Sequence, residues 1–339
     1  MTAIEKYYSE KVRPFEVLLE LTNLCNLKCV HCFHQCDKEH HSLDFSLIVK
    51  LINSLVNMGT MVLTLSGGEI LVRPDLLEII EYASLKNLCV RLYTNATLIK
   101  EDHIRQFVKN RIDIVEISMY GHTPELHDSI TRESGSFEKS LYAIQLLQRY
   151  GLRIKVKCIL TSINIMYKKD IEEYWNNKDL TIIFDPYMLP ALTGDDMPLK
   201  YSINQEEINS FEENSIKKKY IEYKDIDNLH ICNAAMNHCA ISYKGDVYPC
   251  LLMPLPCGNI KEDSFEHIWE HSGEITRLRN ARLMDIEGCY RCELIEYCHR
   301  CPGVAYMENG SYMKIPTSRC RVTKGRYSDG VSWNEEVRT

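Results

Sequence analysis

The stretch Cys25-Asn26-Leu27-Lys28-Cys29-Val30-His31-Cys32 constrains this chain more than any other. Three thiols spaced by three and then two residues can reach three irons of one cubic 4Fe–4S cluster. Protein clusters of this kind usually take four Cys, so a three-Cys loop leaves one iron open to another ligand. The loop follows Glu16–Leu21, an apolar run that reads as a β-strand. The fold must therefore bring a strand end and a metal-binding loop to one place. Zinc is the competing occupant: a structural zinc site wants four closed ligands, and Cys36 and His34 could complete one.

The cysteine count favours metal over a disulfide framework. Fifteen Cys occur in 339 residues, an odd number in a chain that is not small. The N-terminus, Met1–Lys11, is polar and has no apolar signal core. Thiols that ligate iron must stay reduced, which places the protein in the cytoplasm and in an oxygen-poor setting. The net charge of −7 argues against nucleic acid, which calls for a basic face. No run of about 18 apolar residues occurs, so no membrane span is expected.

The length suits one large α/β domain and a smaller appendage. The pattern predicts strands over 16–21, 61–65, 88–93, 112–119, 153–160 and 180–184. Helices fall between them. Ile48, Leu51, Ile52 and Leu55 form one stripe at helical spacing, with Gly59 at the stop. Pro74 and Asp75 open a second helix to about Leu85, a third begins near Lys100, and two more fill the chain up to Tyr150. Strands alternating with helices imply parallel βα units with right-handed crossovers. The expected fold is α/β: a partial (β/α)6 TIM-like barrel with a small Cys-rich α+β domain after it. The barrel spans 1–204, a charged helical linker 205–230, the Cys-rich domain 231–322 and a polar tail 323–339. The Lys217-Lys218-Lys219 run in the linker reads as a solvated face.

Such a barrel keeps its chemistry at the C-terminal ends of its strands, and the motifs fall there. Ser66-Gly67-Gly68-Glu69 follows the second strand. Its glycines let the backbone approach a ligand closely and its acid can accept from an ammonium, although alone it is also an ordinary turn. Tyr93-Thr94-Asn95-Ala96-Thr97 follows the third strand. It offers small polar groups for ribose hydroxyls or carboxylate oxygens, or equally a turn capped by Asn95. Ser118-Met119-Tyr120-Gly121 follows the fourth, and Leu160-Thr161-Ser162-Ile163-Asn164 the fifth. His127-Asp128 reads as a helix-start network rather than a proton relay.

Cys-x3-Cys-x2-Cys after an N-terminal strand, with Gly-Gly-Glu after the next, resembles the radical SAM superfamily. The resemblance implies that the open iron binds the amino and carboxylate groups of S-adenosylmethionine (SAM). The reduced cluster then splits SAM into methionine and a 5′-deoxyadenosyl radical, which takes a hydrogen atom from the substrate. It further implies that Gly67, Gly68 and Glu69 hold the SAM amino group, with Thr94 and Asn95 beside them. Ser118 and Arg132 would lie near the SAM carboxylate or ribose, and Leu160 near the adenine. His31, just before Cys32, takes the place usually held by an aromatic that contacts adenine.

Beyond the linker the composition shifts. Cys232, Cys239, Cys250, Cys257, Cys289, Cys292, Cys298, Cys301 and Cys320 put nine Cys in under ninety residues. Four residues separate Gly245 from Cys250, Gly245 lies inside a hairpin turn over Tyr243–Tyr248, and a helix is expected around Ser264–Trp269. The spacing resembles the SPASM domain, a C-terminal module of radical SAM enzymes that holds two auxiliary 4Fe–4S clusters. This chain has two residues between Cys298 and Cys301 where three are usual. The family's interleaved ligation would give one cluster Cys232, Cys239, Cys250 and Cys301, and the other Cys289, Cys292, Cys298 and Cys320. Three 4Fe–4S clusters then use eleven Cys and leave Cys36, Cys89, Cys158 and Cys257. Two four-thiolate zinc sites would have similar spacings.

The resemblance implies a peptide or protein substrate. One outcome is a thioether or carbon–carbon crosslink in a precursor peptide, with the second electron leaving through the auxiliary clusters. Ferredoxin or flavodoxin would be the electron donor. An epimerase would instead need a thiol hydrogen donor, for which Cys36 and Cys257 are the candidates. Sulfatase maturation ranks lower, because Leu251 stands where those enzymes carry an Asp after the Cys. Only 24 residues precede Cys25, so a fused leader-recognition domain is not expected. A separate recognition protein, or direct binding in the barrel, would take its place, which also leaves room for a small-molecule dehydrogenase. A non-enzymatic zinc-binding module is the reading from another class.

Overall fold

The computed structural model of the chain describes residues 2–34, 39–191, 194–208, 228–298 and 300–328. Cys36, the Lys217–Lys219 run and most of the expected linker helix lie outside them.

Six parallel strands carry the architecture: β1 Glu16–Glu20, β2 Val62–Ser66, β3 Cys89–Thr94, β4 Ile114–Ser118, β5 Ile154–Ile159 and β6 Ile182–Asp185. Each pairs with its sequence neighbour, as right-handed βα units require. The helices between them are α2 Phe45–Asn57, α3 Leu76–Leu85, α4 Glu101–Lys109, α5 Pro124–Thr131, α6 Ser136–Arg149 and α7 Lys168–Asn176, after a short N-terminal α1 Ala3–Glu10. This is the expected partial barrel. The stripe Ile48, Leu51, Ile52 and Leu55 is the buried side of α2.

Side chains alternate across a strand, and the two faces of the sheet differ in chemistry. Val17, Leu19, Leu63, Leu65, Leu92, Val115, Ile117 and Val156 share the helix-covered face and are fully buried. The opposite face is polar. Thr64 registers with Arg91, Tyr93 with Glu116, and Glu116 with Lys155. Arg91 pairs with Glu16 at 3.3 Å and with Asp113 at 2.9 Å, and Arg153 reaches Asp113 at 2.7 Å. Glu116 is held between Lys157 and, at 3.5 Å, Lys155. The Lys157 ammonium also lies 4.4 Å from the Tyr93 ring centroid.

Two later strands extend the sheet: β7 His238–Ile241 and β8 Val247–Tyr248. The order is β6-β5-β4-β3-β2-β1-β7-β8. The β7–β8 hairpin turns at Gly245 (φ +96°), as its sequence predicts. Its parallel pairing with β1, from Glu16↔His238 to Leu19↔Ile241, is not foreshadowed by local sequence. The chain accordingly groups into two units, Met1–Ser202 with Asn233–Asn280, and Ile203–Cys232 with Ala281–Thr339. In the first, helix Phe265–His271 packs on α2, where Ser54 bonds Glu266, and Trp269 Nε1 donates to Val12 O at 2.8 Å. The second holds helices Glu287–Tyr290, Pro302–Asn309 and Thr317–Ser328. The last of these runs past residue 322, where sequence reading starts a tail. Among the described residues no helix is long and apolar enough to cross a membrane.

Candidate active site

The Cys25–Cys32 loop is fixed by backbone contacts on two sides. On one, Gly68 N donates to Thr22 O at 2.8 Å and Glu69 N to Leu24 O at 2.7 Å. The approach is so close that a Cβ on Gly67 would lie 2.3 Å from Thr22 O, and one on Gly68 2.2 Å from Leu24 O. Gly67 also has φ +134°, a conformation that side chains rarely adopt. The glycine pair is thus required by the chain itself, whatever ligand it meets. On the other side Lys28 N donates to Thr131 O at 3.1 Å and Val30 N to Ile130 O at 2.9 Å, which stitches the loop to the end of α5.

The three thiols lie within electrostatic reach of one another. Burial pushes the Cys29 thiol well up, and Cys32 and Cys25 push it further. Among the described residues, no three Cys, His, Asp or Glu side chains close on a single-ion site. Three thiols on one loop, acting on one another, are a donor set that fits a 4Fe–4S cluster. Of the two residues that could complete a zinc site, Cys36 lies outside the described residues. His34 is engaged elsewhere, its Nε2 lying 2.9 Å from the buried Glu20 carboxylate.

Glu69 is fully buried at the end of β2. Its carboxylate accepts from Thr94 Oγ1 at 2.6 Å, Asn95 N at 2.7 Å and Leu71 N at 3.0 Å. Burial raises its pKa, against the lowering by those three bonds. A carboxylate offers about four acceptor positions, so about one remains for a ligand. Asn95 turns its amide toward the loop, with Nδ2 3.8 Å from Cys25 Sγ and 3.0 Å from Asn26 Oδ1. The Thr94–Asn95 motif therefore serves both as a turn and as a neighbour of the first thiol.

Ser118 ends β4 beside Tyr120, whose phenol burial holds protonated, Cys29 and Cys32 adding to the effect. The His31 ring meets Tyr120 edge-on with centroids 4.5 Å apart, and Tyr120 stacks on His127 at 5.5 Å. Burial lowers both imidazoles to a pKa of about 4, so both are neutral at pH 7. Arg132 has a left-handed backbone (φ +59°) at the end of α5, and its guanidinium reaches Tyr201 OH at 3.4 Å. Leu160 is buried and donates its N–H to Asp185 O at 2.8 Å.

Three residues matter here to which sequence reading assigns no role of their own. Tyr120 forms the wall between His31 and His127. Asn164 Nδ2 donates to Tyr120 O at 3.0 Å and so ties the β5 end to that wall. Buried Arg73 donates to Leu21 O and Leu43 O at 3.0 and 2.8 Å, clamping the chain just after β1. A buried Arg needs a charge partner, and the Arg73-Pro74-Asp75 sequence supplies one at 2.6 Å. Asp128 is a helix-start residue: it accepts from Gly135 N, Ser136 Oγ and Phe137 N at 2.6–2.9 Å.

In the second unit four thiols gather. Burial raises Cys289 and Cys298, and Cys292 and Cys320 raise both further, with Cys289 also acting on Cys298. That donor set fits a four-iron cluster. Cys239 and Cys257 lie elsewhere, buried in the first unit and near each other. Burial pushes the Cys257 thiol up to about 12.

A family model for the radical SAM superfamily matches residues 19–177, and one for the SPASM iron–sulfur cluster-binding domain matches 232–302. The chain is similar to the AdoMet-dependent heme synthase of Oleidesulfovibrio alaskensis, at 25% identity over 332 residues, covering 87% of this chain and 84% of that one. It is also similar to AlbA of Bacillus subtilis, a biosynthesis protein of the antilisterial bacteriocin subtilosin. There the identity is 28% over 306 residues, covering 85% of this chain and 67% of the relative. Among solved structures, anSMEcpe with bound AdoMet and a Cp18Cys peptide superposes with a TM-score of 0.72 at 21% identity, covering 93% and 96% of the two chains. That likeness speaks for the fold.

Proposed function

The chain belongs to the radical SAM superfamily and carries a SPASM iron–sulfur domain, and from that premise we propose that it is a peptide-modifying oxidoreductase. The observation that carries the proposal is the three-thiol loop held on the Gly67-Gly68 turn, within a chain alike to AlbA over 85% of its length. Cys25, Cys29 and Cys32 would hold a 4Fe–4S cluster, with SAM on the side of Gly67–Glu69, Asn95, Ser118 and Arg132. Loaded with both, the site supplies a 5′-deoxyadenosyl radical that takes a hydrogen atom from the substrate.

The chain's own residues prepare the place. Asn95 and Asn26 brace the Cys25 thiol. His31, Tyr120 and His127 form an uncharged aromatic wall beside Cys29 and Cys32. Cys289, Cys292, Cys298 and Cys320 would hold an auxiliary cluster as an exit for the second electron. A cytoplasmic ferredoxin or flavodoxin as donor, and a separate recognition protein for the precursor peptide, complete the proposal.

The test mixes anaerobically reconstituted, dithionite-reduced enzyme with SAM and peptides encoded beside its gene. The expected result is 5′-deoxyadenosine together with a peptide lighter by a hydrogen pair. The similarity to a heme synthase supports a second reading, in which the substrate is a porphyrin. Deoxyadenosine formed with an iron porphyrin and with no peptide would replace the first reading by the second.

A further inference from the structure

We propose that Cys239 is a thiol of the helix-covered core and not a cluster ligand. The argument starts from strand parity. In β7, His238 and Ala240 register with Glu16 and Leu18, whereas Cys239 registers with Val17. Val17 is fully buried on the face that the helices cover, and Cys239 beside it is 3% exposed.

The surroundings agree. The titratable groups that reach the Cys239 sulfur are Cys257 and Arg279. Arg279 lies over the Trp269 ring at 4.6 Å and donates to Ala235 O and Trp269 O at 2.7 and 2.8 Å. Cys257 is fastened to the same layer, its N–H donating to Val247 O at 2.8 Å. Gly258 next to it is so tightly covered that a Cβ there would lie 2.9 Å from Ile268. These contacts fix the thiol inside the packed layer, the usual place of a buried free Cys. The contrast is with Cys289, Cys292, Cys298 and Cys320, whose thiols act on one another.

The inference rests on the reading of the C-terminal cysteines as cluster ligands. The family pattern groups Cys239 with Cys232, Cys250 and Cys301.

The experiment uses full-length protein with Cys25, Cys29 and Cys32 replaced by Ala, so that the auxiliary clusters alone remain. Iron and labile sulfide are measured after anaerobic reconstitution, for this background and with C239A, C239V, C250A or C289A added. Val suits a strand interior, which protects the fold where Ala leaves space. The expected background is about eight irons, kept in both Cys239 variants and cut by about four in C250A and in C289A. Loss of about four irons from both Cys239 variants at an unchanged melting temperature overturns the inference. A background that takes up no iron overturns the cluster reading itself, and the inference with it.

Discussion

At the scale of single residues, Glu69 shows how a motif can be found without its working being seen. The sequence places Gly-Gly-Glu after one strand and Thr94-Asn95 after the next. That the acid of one motif receives the hydroxyl and the amide of the other depends on the parallel register of β2 and β3, which no local pattern states. The carboxylate is buried and its three donors come from the chain. Removing it strands three polar groups, each of which costs about 1–3 kcal/mol when buried without a partner. Glu69→Ala is therefore expected to lower the unfolding free energy by about 3 kcal/mol or more. Glu69→Gln keeps one oxygen for Thr94 and Leu71 but sets an amide N–H against Asn95 N–H, and should cost about 1–2 kcal/mol. Urea unfolding of the two variants measures both. A Glu69→Ala midpoint equal to wild type would mean that the network contributes nothing to the fold.

At the scale of elements, helices and strands of the barrel were legible because their apolar spacing is strict. The stripe on α2 and the alternation in β3 each specify one buried face. What joins the elements was less legible. Asp128 sits in α5 yet serves α6, receiving Gly135 N, Ser136 Oγ and Phe137 N. Sequence reading names the His127-Asp128 pair as a helix start but cannot say which helix. Burial raises the Asp128 pKa, but these hydrogen bonds, Phe137 N first, outweigh it, and the net shift is downward. A carboxylate whose folded pKa is depressed contributes its full stability above the unfolded value, near 3.9. The contribution is lost as pH falls through the lower folded value. Asp128→Ala is expected to cost about 1–2 kcal/mol at neutral pH, as the loss of a helix-start acceptor does. The gap between the two proteins should hold steady from pH 8 to pH 5 and narrow below about pH 4. A gap that persists undiminished at pH 3 would assign the loss to packing instead of charge.

At the scale of the whole molecule, the part of the fold that local sequence could not disclose is the return of the chain to the first strand. Residues 231–322 read as a domain of their own because their cysteines change the composition abruptly. Yet contacts gather Asn233–Asn280 with Met1–Ser202. The reason is physical: β1 would otherwise be an edge, and β7 satisfies its free backbone groups from Glu16 to Leu19. The helices that follow β7 then close over the same region, through Trp269 to Val12 and Glu266 to Ser54. A pairing across more than two hundred residues leaves no local periodicity to read. It has a consequence for the chain cut at residue 204, the limit that composition suggests for the barrel. That fragment keeps all six barrel strands but bares the β1 edge and uncovers the buried ends of Val17 and Leu19. It is expected to run as high-mass aggregate on size-exclusion chromatography, where the full chain runs as a discrete species. If the fragment ran as a discrete monomer with the melting temperature of the full chain, β7 would be an ornament on a barrel complete without it. The cysteines that β7 and its hairpin carry would then have to be explained by metal alone, and not by the strand that they help to build.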